Sequence, residues 1–411
     1  MVGTLSDETI EQTVDDEIRA QYMGMEEEAA KNSLLPAILW RNSVDTAKIF
    51  CVNGDYLADI SAVGILDAMM GETYDYDIYP VINAQNLVIA DLPAFVSENE
   101  EEMQKRYSQS AQAVYQEIVW PSLTSIASRT GAKMTCMMTP QFTYTDEEEP
   151  DGENVTYYLK RLKEEHAEAG LSADSREGIP LSEKIKQDQT FWQTYAPSYR
   201  FLSLYADGVK SIGEESALPA EIRTVALGSG ASGQAVGYLN ENVTLQPSTS
   251  SGIRHTFLDD FKAKCMETAL GYSNITLDLY SVTYPEGDED SWEKMSKKIA
   301  ANLGTYWKAY EAFDATTLTE SDVRIRRFLA LDYKQQRAGN VITLSLEHRE
   351  DAAWFLLRLH GEKVTEVAGG SFEEIEDGVY LILAEEDEVS VKVQNGETWQ
   401  YQDGGKRGDG T

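Results

Sequence analysis

The sequence predicts an α/β protein: a (β/α) barrel of seven to eight parallel strands over residues 46–320, followed by a small antiparallel β-domain over 325–395. Three observations lead there. Short apolar runs alternate with one-sided helical stretches through the first region, the order that builds a parallel sheet. Those runs are continuously apolar rather than alternating, as strands covered on both faces must be. Beyond residue 325 the helical period fades, and short strands recur between Gly, Asn and acidic turns. With 411 residues, 42% of them hydrophobic, the chain has apolar material for more than one core.

Residues 1–45 are acidic and helix-prone with no core partner of their own, and read as a linker or the remnant of an upstream domain. The run 48–56 (KIFCVNGDY) reads as the first strand. Further strands follow at 87–91 (LVIAD), 133–142, 168–174 (EAGLSAD), 199–208, 222–230, 243–248 and 274–282. Between them, Met103, Tyr107, Ala111, Val114 and Ile118 recur at three- and four-residue steps, as do Val155, Tyr158, Leu159, Leu162 and His166. Each set is one apolar stripe of a helix packed on a sheet. A helix over 291–313 closes the series. GVYLILAEEDEVSVKVQNG (378–396) reads as a hairpin, and 396–411 as a frayed tail.

Charge and hydropathy exclude several functions. Acidic residues outnumber basic ones 70 to 35, for a formal charge of −35. Such a surface repels phosphate backbones and anionic lipid, so no nucleic-acid partner is expected. No apolar run approaches the ~20 residues of a membrane span, and the first residues lack the pattern of a signal peptide. Cys51, Cys136 and Cys265 are far apart and odd in number, which argues against a disulfide framework or a cysteine metal cluster. Short matches, such as Arg407-Gly408-Asp409 and the sequons at Asn154, Asn242 and Asn274, are brief enough to arise by chance.

In a (β/α) barrel the chemistry lies at the C-terminal strand ends. Acids recur there: Asp55, Asp91, Asp174 and Asp207 follow runs, and Asp278 lies in the last one. Converging carboxylates serve as acid/base pairs on a glycosidic bond or as ligands of a hard metal. Asp91-Leu92-Pro93 also suits an ordinary strand exit, whereas Asp55 sits beside a flexible glycine. Asp55, Asp174 and Asp207 are therefore the catalytic candidates. Tyr205, Tyr280, Asp278 and His255 are the candidates for substrate binding; His255 is the histidine nearest a strand end, with Asp259 and Asp260 beside it. No H-x-x-x-H or C-x-x-C occurs, so no cofactor is expected, and a divalent metal would lack its histidines. Gly228-Ser229-Gly230-Ala231-Ser232-Gly233 has the dinucleotide spacing but no acid about twenty residues on, and reads as a loop.

Several segments together carry a resemblance: VNGDYLADISAVGILDAMM, KMTCMMTPQF, EAGLSAD, FLSLYADG, LDLYSVTYP and, later, WFLLRLHGEKVTEVAGGSFEEIEDGVYLI. Over about 46–395 the chain resembles a group of bacterial envelope proteins linked to exopolysaccharide gene clusters. That group is in turn similar to the polysaccharide deacetylase (NodB-like) superfamily. The resemblance implies a (β/α) barrel acting on or binding an exopolysaccharide, outside the cell or at its envelope, with synthesis and export components as partners. It also implies a missing export segment. In the superfamily an aspartate pair follows strand one and an H-x-x-x-H completes a metal site. Asp55 stands at the strand-one position, but Gly170–Ser175 carries no histidine. A glycoside hydrolase using paired aspartates without metal, and a non-catalytic polysaccharide-binding scaffold, are the alternatives.

Overall fold

A computed structural model describes residues 39–395 apart from 45–46, 94, 146–148, 177–178, 209–211, 213–217, 229–234 and 309–311. The expectations for 1–38 and for the tail 396–411 lie outside the described residues. The chain divides into two compact units. One comprises 1–69 and 82–329, the other 70–81 and 330–411.

The first unit opens with a hairpin, β1 (Leu39–Val44) and β2 (Ala47–Val52), paired antiparallel from Leu39↔Val52 to Val44↔Ala47. This corrects the first strand. The run holding Ile49 and Cys51 pairs with β1 in a two-stranded sheet of its own, not with the parallel strands. Its apolar residues are too few to be covered twice: Ile49 remains 48% exposed. Helix α1 (Ser61–Gly71) follows, and β3 (Tyr76–Val81) leaves for the second unit.

The parallel strands begin with β4 (Ala84–Ala90), every residue of which is buried. The helices α2 (Glu100–Tyr107) and α3 (Trp120–Thr130) lead to β5 (Met134–Met138), and α4 (Val155–Glu164) to β6 (Glu168–Ser172). After α5 (Leu181–Tyr195) come β7 (Ser203–Ala206), β8 (Thr224–Leu227), the short β9 (Gly237–Tyr238), β10 (Thr244–Pro247) and β11 (Ser250–Ser251). Helix α6 (Phe257–Leu270) precedes β12 (Tyr272–Asp278), and α7 (Trp292–Asn302) precedes β13 (Ala315–Thr316). The sheet order is β11-β12-β4-β5-β6-β7-β8-β10-β9, with β13 beside β4. All pairs are parallel except β9–β10. The expected barrel is thus met in its coarser form: a curled, parallel-rich sheet with helices between its strands.

Helix α8 (Leu318–Ala330) begins at the N-terminal strand ends and shares a polar network with them. Gln246 donates to Thr224 (2.8 Å) and to the Leu318 carbonyl (2.9 Å), Asn86 donates to Gln246 (3.0 Å) and Ser321 (3.2 Å), and Thr316 donates to Asn86 (2.8 Å). Thr244 donates to Asp322 (2.5 Å), which also pairs with Arg326 (3.0 Å). No helix among the described residues is long and apolar enough to cross a membrane.

In the second unit β14 (Asp332–Ala338), β15 (Val341–Glu347), β16 (Ala353–Leu359), β17 (Glu362–Ala368), β18 (Gly370–Glu376), β19 (Val379–Ala384) and β20 (Glu388–Asn395) complete the antiparallel domain. Its sheets, β14-β15-β20-β17 and β18-β19-β16-β3, share one core that includes Ile342, Leu344, Phe355, Ile382 and Val391. The hairpin expected over 378–396 is instead a crossing. β19 and β20 lie in different sheets, each filling its inward face from the common core.

Candidate active site

The C-terminal ends of β4, β6, β7 and β12 carry Asp91, Asp174, Asp207 and Asp278. Asp91 is 1% exposed and holds φ 58°, a left-handed conformation that turns the chain straight out of β4. Its Oδ1 accepts from the Ser172 hydroxyl (2.7 Å), and its Oδ2 has no hydrogen-bond partner. The same hydroxyl accepts from the Asp174 amide (3.1 Å), so one serine fixes both acids. Asp174 is half-buried, while Asp207 and Asp278 are exposed, so the acids rise in layers from a buried floor to an open rim.

The layering sets their proton affinities. Burial, with repulsion from Asp174 and Asp278, holds Asp91 well above the usual carboxylate range. Burial, then repulsion from Asp278 and Asp207, pushes Asp174 up to about 7. Loss of water around its carboxyl among the neighbouring acids also raises Asp278, although the carboxyl accepts from the Tyr280 amide (2.9 Å). Beneath them Tyr205 is 2% exposed, its ring packed with Val88, Met137 and Leu318. A β-carbon on Gly228 would sit 2.7 Å from the Tyr205 hydroxyl and 2.8 Å from Asp207 Oδ1, so only glycine lets these groups approach.

A buried cation lies in the wall. Lys184, on α5, is 1% exposed, pairs with Asp188 (2.7 Å), and donates to Tyr144 (2.8 Å) and Thr139 (3.4 Å). Its charge draws down the proton affinity of both Asp91 and Asp174. The opposite wall is aromatic. Tyr280 and Tyr284 stack at 5.0 Å, Phe142 meets Tyr280 edge-on at 5.1 Å, and Arg176 covers Tyr284 at 4.5 Å. Glu98 ties this wall together, accepting from the amides of Phe142 and Thr143 (2.9 Å each) and from the Tyr284 hydroxyl (2.5 Å). Tyr115, in a π-helical turn (Tyr115–Val119), donates to the Leu279 carbonyl (3.1 Å) and steadies the exit of β12.

The sequence candidates divide accordingly. Asp174, Asp207, Asp278, Tyr205 and Tyr280 come together; Tyr205 lies in the floor and Tyr280 in the wall. Asp55 does not join them. It is exposed after the β1–β2 hairpin, and its neighbours Tyr56 and Asp59 contact Phe261 (5.2 Å) and Lys262 (3.2 Å) on α6. His255 precedes α6, where Asp259 forms a capping box with Thr256; burial lowers the proton affinity of the imidazole. Sequence reasoning underrated Asp91 and passed over Ser172, Lys184 and Glu98. The available signal was an acid ending the apolar run Leu87–Ala90, in the first strand of the parallel sheet. Most of the Gly228–Gly233 loop lies outside the described residues.

A divalent metal fits poorly. The donors at this end are carboxyls, and no described group of three or more His, Cys, Asp or Glu is placed to hold an ion. No histidine pair stands with them, so the site departs from the metal triad of the deacetylases.

No curated protein matches the chain. Solved structures give loose likenesses. A protein assigned as a polysaccharide deacetylase from Mycobacterium smegmatis has TM-score 0.35 at 8% identity, covering 59% of this chain and 90% of its own. An endo-β1,6-glucanase has TM-score 0.32 at 9% identity, covering 82% and 89%. A family 39 glycoside hydrolase from Bacteroides cellulosilyticus has TM-score 0.30 at 10% identity, covering 82% and 78%. In sequence, residues 13–177 match a family described as uncharacterised proteins conserved in bacteria, DUF2194.

Proposed function

We propose that this protein is a carbohydrate-active hydrolase that cleaves a polysaccharide by carboxylate acid–base catalysis. One observation carries the reading: Asp174, pushed up to about 7, stands among Asp207, Asp278 and a buried Asp91 whose own proton affinity is raised. Groups whose environments separate their proton affinities are how a site holds an acid and a base at the same pH. Asp174 gives its proton to the departing oxygen. Asp207, whose backbone amide donates to Asp174, faces it as the second carboxyl, placed to stabilise positive charge at the sugar carbon or to activate water. Asp278 stands close by as a further carboxyl, and Tyr280 offers aromatic surface to the sugar. The segments resembling envelope proteins support an exopolysaccharide substrate and a place outside the cell or at its envelope.

The test is turnover of a polysaccharide panel, reading reducing ends and released acetate separately. Reducing ends are expected. Asp174→Asn should lower kcat by about 10²–10⁴-fold, the usual worth of a positioned proton donor, with thermal unfolding unchanged or raised. Activity should fall as pH rises through about 7, where Asp174 loses its proton. Acetate without reducing ends would make the enzyme a deacetylase. An Asp174→Asn variant as active as the parent, or no turnover of any substrate, would overturn the assignment.

A further inference from the structure

The second unit holds a cleft of about 830 Å³, within the range of small-ligand sites. Its lining is not what the end of a β-sandwich needs. On β14 Tyr333, Gln335 and Arg337 share one face of the strand, Tyr333 and Arg337 half-buried and Gln335 exposed to the cleft. Tyr333 packs on Phe355 at 5.4 Å, but Gln335 and Arg337 place an amide and a cation where apolar residues would seal the sheets. Arg337 lies over Tyr76 at 5.3 Å and pairs with Glu362 at 2.7 Å, so it is held in place rather than drawn out into water. His360 bonds the Gly71 carbonyl at 2.7 Å, which fixes the segment leading to Tyr74. Tyr74 is 56% exposed on the cleft wall. Asp77 is only 8% exposed, and its Oδ2 has no hydrogen-bond partner.

The geometry points to a second saccharide-binding site in this cleft, for sugars that are neutral or carry amines. A free tyrosine face suits the C–H side of a pyranose, and planar amide, guanidinium and carboxylate groups suit paired hydroxyls. Asp75, Asp77 and Glu362 outweigh Arg337, so the lining repels carboxylated or sulfated sugars. The inference rests on the carbohydrate reading of the first unit only for its choice of polymer; its residues are separate.

The experiment is affinity electrophoresis of the full chain in gels containing a neutral β-glucan, chitosan or polygalacturonate. Retardation is expected in the first or second gel and not in the third. Tyr74→Ala and Gln335→Ala should each weaken it at least tenfold without changing thermal unfolding. Asp174→Asn should keep the retardation while losing turnover. If turnover is absent but Tyr74-dependent retardation persists, the hydrolase assignment falls and this site stands. Tyr74→Ala and Gln335→Ala migrating like the parent, retardation confined to polygalacturonate, or free migration in every gel would overturn it.

Discussion

The two ends of the parallel sheet are both polar, yet they are built on opposite rules. At the N-terminal end Asn86, Gln246, Thr224 and Ser321 are amides and hydroxyls bonded to one another, Asp322 has Arg326 and Thr244, and Glu168 accepts from Ser203 and the Thr319 amide; the Asn274 Oδ1 is an open acceptor there, but no acid faces another. At the C-terminal end carboxyls face carboxyls, and Asp91 leaves an oxygen unpaired. A network that only stabilises closes its hydrogen bonds, because each open one costs about 1–3 kcal/mol. An end that keeps like charges together is tolerated where reactivity needs shifted proton affinities.

The sharpest way to break this contrast is to open the closed end. Asp322→Ala removes the partner of Arg326 and the acceptor for Thr244 in a buried setting, and should cost about 3 kcal/mol in urea denaturation. A loss under 1 kcal/mol would mean the N-terminal network is as loosely held as the acidic end.

The acidic end makes the next prediction, through pH. Asp91, Asp174 and Asp278 have folded-state proton affinities raised above the unfolded value of 3.8, with Asp174 at about 7. Between those limits the folded chain holds protons that the unfolded chain has released. The stability they contribute is complete below about pH 4 and is lost as pH rises towards 7, the reverse of a salt-bridged aspartate. Stability should therefore fall from pH 4 to pH 8, by up to about 4 kcal/mol for the shift of Asp174 alone, and Asp174→Asn should flatten the decline. An Asp174→Asn curve parallel to that of the parent would remove the repulsion from the account.

The smallest effect belongs to Glu98, which joins the aromatic wall to the site. Glu98→Gln keeps its shape but loses the charge that draws in two amides and the Tyr284 hydroxyl. A cost of about 1 kcal/mol is expected, together with a raised KM at nearly constant kcat. A change in kcat alone would place Glu98 in the chemistry instead.

Much of the sheet was legible because its strands are continuously apolar: 87–91, the core of 133–142, and 222–230 each fall on a buried strand. Asp174, Asp207 and Asp278 were legible for the same reason, as acids ending such runs. Asp55 was misleading. KIFCV looks like a buried strand locally, but burial depends on what covers it, and here Ile49 faces solvent. The strand 76–81 was invisible as a member of the second unit. Its partner β16 lies far along the chain, in register Tyr76↔Leu359, and no local pattern encodes a pairing at that distance.

The sequence by itself determined most strands of the parallel sheet, the change from helix-bearing to antiparallel architecture near residue 330, and the supply of acids at strand ends, because periodicity and turn chemistry are local. The tertiary structure decided which acids meet. It put Asp91 on the floor in place of Asp55, brought Lys184 beside it from a helix nearly a hundred residues on, and left Asp174 poised at about 7. Proton affinity depends on burial and on charges only a few ångströms away, and those distances exist only once the chain has folded.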